Sequence, residues 1–141
     1  MNKTMGILMI VVALVIAIVP IFTDCLANGR TLTTADGRSV PMKCHWTALA
    51  EIGLAVPLAM VGVFNFTSKR RETFRTLNLI ALVLGALVIA FPTLLIGVCA
   101  NKMMPCNMIE LPSLILSGIL VMGASLITLA TSRHMVEPVA A

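Results

Sequence analysis

A chain of 141 residues that is 59% hydrophobic and 11% charged, with a net charge of +4, fits no ordinary soluble domain and leaves no room for a second one. Its basic surplus is too small and too scattered for a nucleic-acid surface.

An apolar core of roughly 30 Å needs about 20 helical residues, and the stretches near 5–23, 46–66, 77–98 and 112–131 meet that length. The expectation is one all-α, four-helix transmembrane domain over residues 1–141, with loops 24–45 and 99–111 on one side of the bilayer. The first stretch begins like a signal peptide, with Lys3 before an apolar run. The run is too long, however, and Asp24 rather than a small residue precedes Cys25, so it reads as a true helix.

The first loop carries Cys25 and Cys44. Between them, Arg30 to Val40 is a β-favouring run broken by the turn signal Asp36-Gly37, and it predicts either a small surface hairpin or an irregular loop. The second helix opens on the densest chemical string of the chain, Pro41-Met42-Lys43-Cys44-His45-Trp46-Thr47, followed by Glu51. Trp46 suits the membrane interface. Glu51 sits about one and a half turns deeper, where a carboxylate is costly unless protonated, paired or wetted. Two readings stand: a proton-responsive or ligand-binding group, and a hydrogen-bonding clamp between helices. Its conceivable partners are Lys43, His45 or a polar group on another helix.

The connection Ser68 to Arg75 is strongly basic and suits contact with anionic headgroups. Counting Lys3, Lys69, Arg70, Arg71, Arg75 and Arg133 against Arg30, Arg38, Lys43 and Lys102, the basic-residue rule places both termini in the cytoplasm and the cysteines outside a plasma or inner membrane. Asn78, Ala81, Gly85, Pro92 and Cys99 share a face of the third helix; Ser117, Ala124, Ser125, Thr128 and Ser132 share one on the fourth. Both are expected to be packing seams. Pro57 and Pro92 interrupt their helices, Pro112 suits a first turn, and Glu110 reads as an N-terminal residue favoured by the helix dipole.

Outside a cell, thiols meet an oxidising compartment. Cys25, Cys44, Cys99 and Cys106 are therefore disulfide candidates, with within-loop pairs, Cys25 to Cys44 and Cys99 to Cys106, expected ahead of cross-loop pairs. The order proline, cysteine, cysteine, glutamate recurs in both halves, through Pro20, Cys25, Cys44, Glu51 and Pro92, Cys99, Cys106, Glu110, and suggests two related hairpins. Met42, Cys44, His45, Met103, Met104, Cys106 and Met108 are soft ligands that suit cuprous copper, but oxidised cysteines would leave only His45 and the methionines Met42, Met103, Met104 and Met108. The chain lacks Cys-x-x-Cys and any Gly-rich phosphate loop, and its two histidines, His45 and His134, should lie on opposite sides of the membrane. Neither catalysis nor a resident cofactor is expected; copper or haem is the alternative.

At Met42-Lys43-Cys44-His45-Trp46-Thr47-Ala48 and Glu51 the chain resembles a family of uncharacterised bacterial and archaeal four-helix membrane proteins that share a Cys-His-Trp-Thr signature followed by Glu. Its members look like neighbours of ABC-type permeases similar to macrolide or lipoprotein exporters. The resemblance implies a non-enzymatic accessory subunit of such a complex, with Cys44, His45, Trp46 and Glu51 as signature or interaction positions. The alternatives are an extracytoplasmic copper, haem or thiol-redox protein, and a small homo-oligomeric transporter or channel.

Overall fold

A computed structural model describes residues 2–26, 29–68 and 71–134. Lys69 and Arg70, and the side chains of Asn2, Arg71, Ser132, Arg133 and His134, lie outside what is described. Four long helices form: α1 (Asn2–Thr23), α2 (Lys43–Thr67), α3 (Arg71–Ala90) and α4 (Leu111–His134). Each, with the π-helical turns described below, is long and apolar enough to cross a membrane, which makes this a multi-pass membrane protein.

The helices run alternately up and down. Cys25 after α1, Cys44 at the start of α2, Cys99 after α3 and Cys106 before α4 all converge at one end, so both loops of the cysteine-bearing side close there. α1 packs chiefly on α2 and α3 on α4; contacts of α2 with α3 and of α1 with α4 close the bundle. Met9, Ile16, Leu58, Val88, Leu114 and Val121 fill its middle. About a third of each span faces inward, while Leu14, Val56, Val83 and Ile127 point out. Such a surface is stable only in lipid.

Several boundaries differ from expectation for local reasons. α2 begins at Lys43, so Cys44 and His45 belong to its first turn rather than to the loop. α3 starts six residues earlier than its apolar stretch at 77, since Glu72 near its positive end favours helix there. Its far end becomes a π-helical turn over Phe91–Leu95. Pro92 has no amide hydrogen to donate, which disfavours continued α-helical pairing. Gly97, with φ +80°, then turns the chain as its amide joins that of Ile96 on the Phe91 carbonyl. A second π-helical turn, Cys106–Glu110, leads into α4.

Of the two forms open to the first loop, it takes the small hairpin. β1 (Leu32–Thr33) pairs antiparallel with β2 (Ser39–Val40), Leu32 opposite Val40. Gly37, at φ +75°, supplies the turn that Asp36-Gly37 signals.

Candidate functional site

Four helix ends deliver one cysteine each to a common point. The sulfurs of Cys25, Cys44, Cys99 and Cys106 all lie within 4.8 Å of one another. Cys44 is 3.1 Å from Cys99, Cys25 is 3.8 Å from Cys99, and Cys25 is 3.7 Å from Cys106. No pair stands at disulfide distance and all four thiols are free. The expected within-loop staples are not formed; the grouping is four-way and takes in both hairpins.

Hydrogen bonds hold the frame. Thr47 donates its hydroxyl to the Gly97 carbonyl at 2.8 Å, tying α2 to the loop that carries Cys99. Asn107 donates its amide to the Cys99 carbonyl at 2.7 Å, and the Arg30 amide donates to the Cys25 carbonyl at 2.9 Å. Met42 and Met104 pack against the cluster, with the Met42 sulfur 3.9 Å from Cys99. Burial pushes the Cys25 thiol above its ordinary value. Burial acts the same way on Cys99, but hydrogen bonds from Cys44, Cys106 and Cys25 outweigh it and hold that thiol low.

The other metal candidates separate. Met103 and Met108 are exposed, away from the sulfurs. His45 does not join them; its Nδ1 pairs with Asp24 at 2.9 Å, bridging the cysteine-bearing ends of α1 and α2, and its ring meets Trp46 edge to face at 5.8 Å. Trp46 itself is exposed. The donor set is thus four thiols with the Met42 thioether beside them, and no imidazole.

Below the sulfurs lies a carboxyl layer. Glu51, seven residues on from Cys44, is fully buried, and neither of its oxygens has a hydrogen-bond partner among the described residues; Lys43 and His45 do not reach it. Glu110 is also fully buried, a correction to its reading as an ordinary helix-start residue. It accepts a hydrogen bond from the Thr23 hydroxyl at 3.1 Å while its other oxygen is unpartnered. Glu110 follows the buried Cys106 by four residues, so the helical turn sets it one level below that cysteine on the same inward face. At the opposite end of the bundle Asn65, Asn78 and Ser125 are buried with unpartnered polar atoms. Asn78 and Ser125 were legible as seam residues; Asn65, in the last turn of α2, carried no pattern that marked it.

Four convergent thiols can do two things: ligate one soft or borderline ion as thiolates, or exchange electrons by pairing into disulfides. No curated protein matches this chain, and no solved structure does. The description of a domain of unknown function, DUF4418, matches residues 4–131, nearly the whole chain, and the protein belongs to that family.

Proposed function

We propose that this is a non-enzymatic membrane protein that holds a single thiophilic ion, zinc by preference, in the four-thiol cluster, with that end of the bundle facing outward. The observation that carries the reading is the convergence of four sulfurs, one from each helix end, within 4.8 Å. Metal–sulfur bonds of about 2.3 Å in a tetrahedron require edges of about 3.8 Å, and two of the sulfur pairs already stand at 3.7 and 3.8 Å. Cys44 and Cys99, at 3.1 Å, would open slightly. The space suits one ion and not a multi-iron cluster. Cuprous copper competes for the same thiolates, helped by the Met42 thioether. Burial of the site explains how thiols would survive on an oxidising side, because a bound ion occupies the electron pairs that an oxidant needs.

An accessory role beside an ABC-type permease is the wider setting we propose. Its support is the resemblance at Cys44-His45-Trp46-Thr47 and Glu51, together with the exposure of Trp46 at the thiol end, where a neighbouring membrane protein would meet it. Both readings are tested by gentle purification from the native membrane, with metal analysis and identification of whatever accompanies the chain. About one zinc per chain, lost in Cys44→Ser and Cys106→Ser, is the expected result; four alkylatable thiols with no metal would sink the metal reading, and a chain that purifies alone would sink the accessory one.

A further inference from the structure

All four sulfurs lie within 4.8 Å of one another, and the three shortest contacts run from one cysteine to the next. Cys44 is 3.1 Å from Cys99, Cys99 is 3.8 Å from Cys25, and Cys25 is 3.7 Å from Cys106. Cys25, Cys44 and Cys106 are sealed from solvent, at 2%, 0% and 0% exposure; Cys99 is half-buried. It lines a cavity of about 360 Å³ together with Leu32, Met42, Lys43, Val98 and Met104, a volume within the range that admits small molecules. A solute approaching this end of the bundle meets Cys99 first.

We propose that Cys99 is the gateway of a thiol–disulfide relay through which a low-molecular-weight disulfide oxidises the metal-free cluster, and that the oxidised protein carries Cys44–Cys99 and Cys25–Cys106 bonds. This rests on the reading of the four cysteines as one reduced, metal-competent site. The Cys99 thiolate, its proton released to solvent, attacks one sulfur of the incoming disulfide. The old sulfur–sulfur bond breaks, a mixed disulfide forms on Cys99, and one thiolate leaves and takes up a proton. Cys44 then attacks the Cys99 sulfur, forming Cys44–Cys99 and releasing the second small thiol. Two protein thiols have lost two electrons and two protons, and one disulfide has become two thiols.

The relay continues inward without further oxidant. Cys25 attacks the Cys99 sulfur and frees Cys44; Cys106 attacks the Cys25 sulfur, forms Cys25–Cys106 and frees Cys99. A second equivalent of disulfide then closes Cys44–Cys99. Each bond must draw its sulfurs together by about 1 to 1.7 Å, within reach of side-chain rotation. Both bonds join the α1–α2 hairpin to the α3–α4 hairpin, and both consume the electron pairs that would hold an ion. Oxidation therefore expels metal and locks the outer end of the bundle.

The test uses the full chain in detergent, reduced and stripped of metal, with oxidised glutathione as the disulfide and peptide mapping of the quenched, alkylated protein. In Cys25→Ser/Cys44→Ser, glutathione should appear on Cys99 before any Cys99–Cys106 bond forms, since Cys106 remains within 4.8 Å of it. Cys99→Ser should slow oxidation of the remaining thiols at least tenfold, and the fully oxidised wild type should contain Cys44–Cys99 and Cys25–Cys106. A substoichiometric pulse of iodoacetamide on the wild type, which needs no variant to fold, should label Cys99 before the others. Glutathione or the first label on another cysteine, unchanged kinetics in Cys99→Ser, or Cys25–Cys44 with Cys99–Cys106 bonds would overturn the proposal. Zinc added beforehand should block the exchange; exchange in the stated order that zinc neither binds to nor slows would remove the metal reading alone.

Discussion

A Cβ placed on Gly118 would stand 2.8 Å from the carbonyl oxygen of Gly85 and 2.5 Å from the Ile89 side chain, so α3 and α4 meet backbone to backbone. Gly6 and Gly62 do the same between α1 and α2, where a Cβ on Gly6 would lie 2.7 Å from the Gly62 oxygen. In lipid there is no hydrophobic drive between helices, and close approach over small residues supplies the dispersion contact that replaces it. Both hairpins use the same device, and both add a cysteine after the first helix and a cysteine and buried glutamate on the way into the second.

Gly118→Ala and Gly62→Ala should each lower stability by about 1–3 kcal/mol, since backbone oxygens cannot yield the way a flexible side chain can. Gly53 and Gly123 have nothing within 4 Å of the point an alanine methyl would occupy, so alanine there should be neutral or stabilise by about 0.5–1 kcal/mol through the lost freedom of the unfolded chain. Unfolding in mixed detergent–SDS micelles measures all four. Equal effects at Gly62 and Gly53 would refute the contact.

The Thr23 hydroxyl is the one side-chain donor to Glu110 among the described residues. Thr23→Val keeps the shape and removes that donor, leaving a buried carboxyl with no partner at a cost of about 1–3 kcal/mol. With Glu110→Leu already in place the same change should cost much less. A double-mutant cycle reads the coupling directly, and additivity of the two changes would show that the 3.1 Å contact contributes nothing.

Glu51 poses the opposite case. Its oxygens are buried without partners among the described residues, so an apolar replacement of similar volume, Glu51→Leu, should raise stability by about 1–3 kcal/mol, because it removes a desolvation penalty that nothing offsets. A fall in stability of similar size would mean that this carboxyl holds a cation or an ordered water that the leucine displaces. The measurement thus separates a carboxyl kept for function from one kept as a clamp.

The bundle was legible because four apolar stretches of spanning length admit one architecture, and the small hairpin because Asp36-Gly37 is a local instruction. Residue spacing also foretold that cysteines would share one end. Their four-way grouping was not legible: within-loop closure looks shorter along the chain, and only the packing of α1 with α4 and α2 with α3 brings the sulfurs of both loops to one point. The burial of Glu110 was hidden for a related reason. A dipole argument treats a helix start as solvated, whereas Glu110 stands one helical turn after the buried Cys106 and shares its inward face.

Zinc affinity should depend steeply on pH, with a sign fixed by the ligands. Metal binds thiolates, and burial holds the Cys25 thiol above its ordinary value, so at neutral pH that sulfur carries a proton which the ion must displace. Cys99, held low, is the sulfur that yields its proton most readily. Each displaced proton adds tenfold to the apparent affinity per pH unit below the thiol's own pKa, so binding should tighten at least tenfold per unit between about pH 6 and 8. Competition with a chromophoric chelator across that range measures the slope. A flat profile would mean that the ion is held by groups already deprotonated, which excludes the buried thiols and would turn attention to carboxylates such as Glu51 and Glu110.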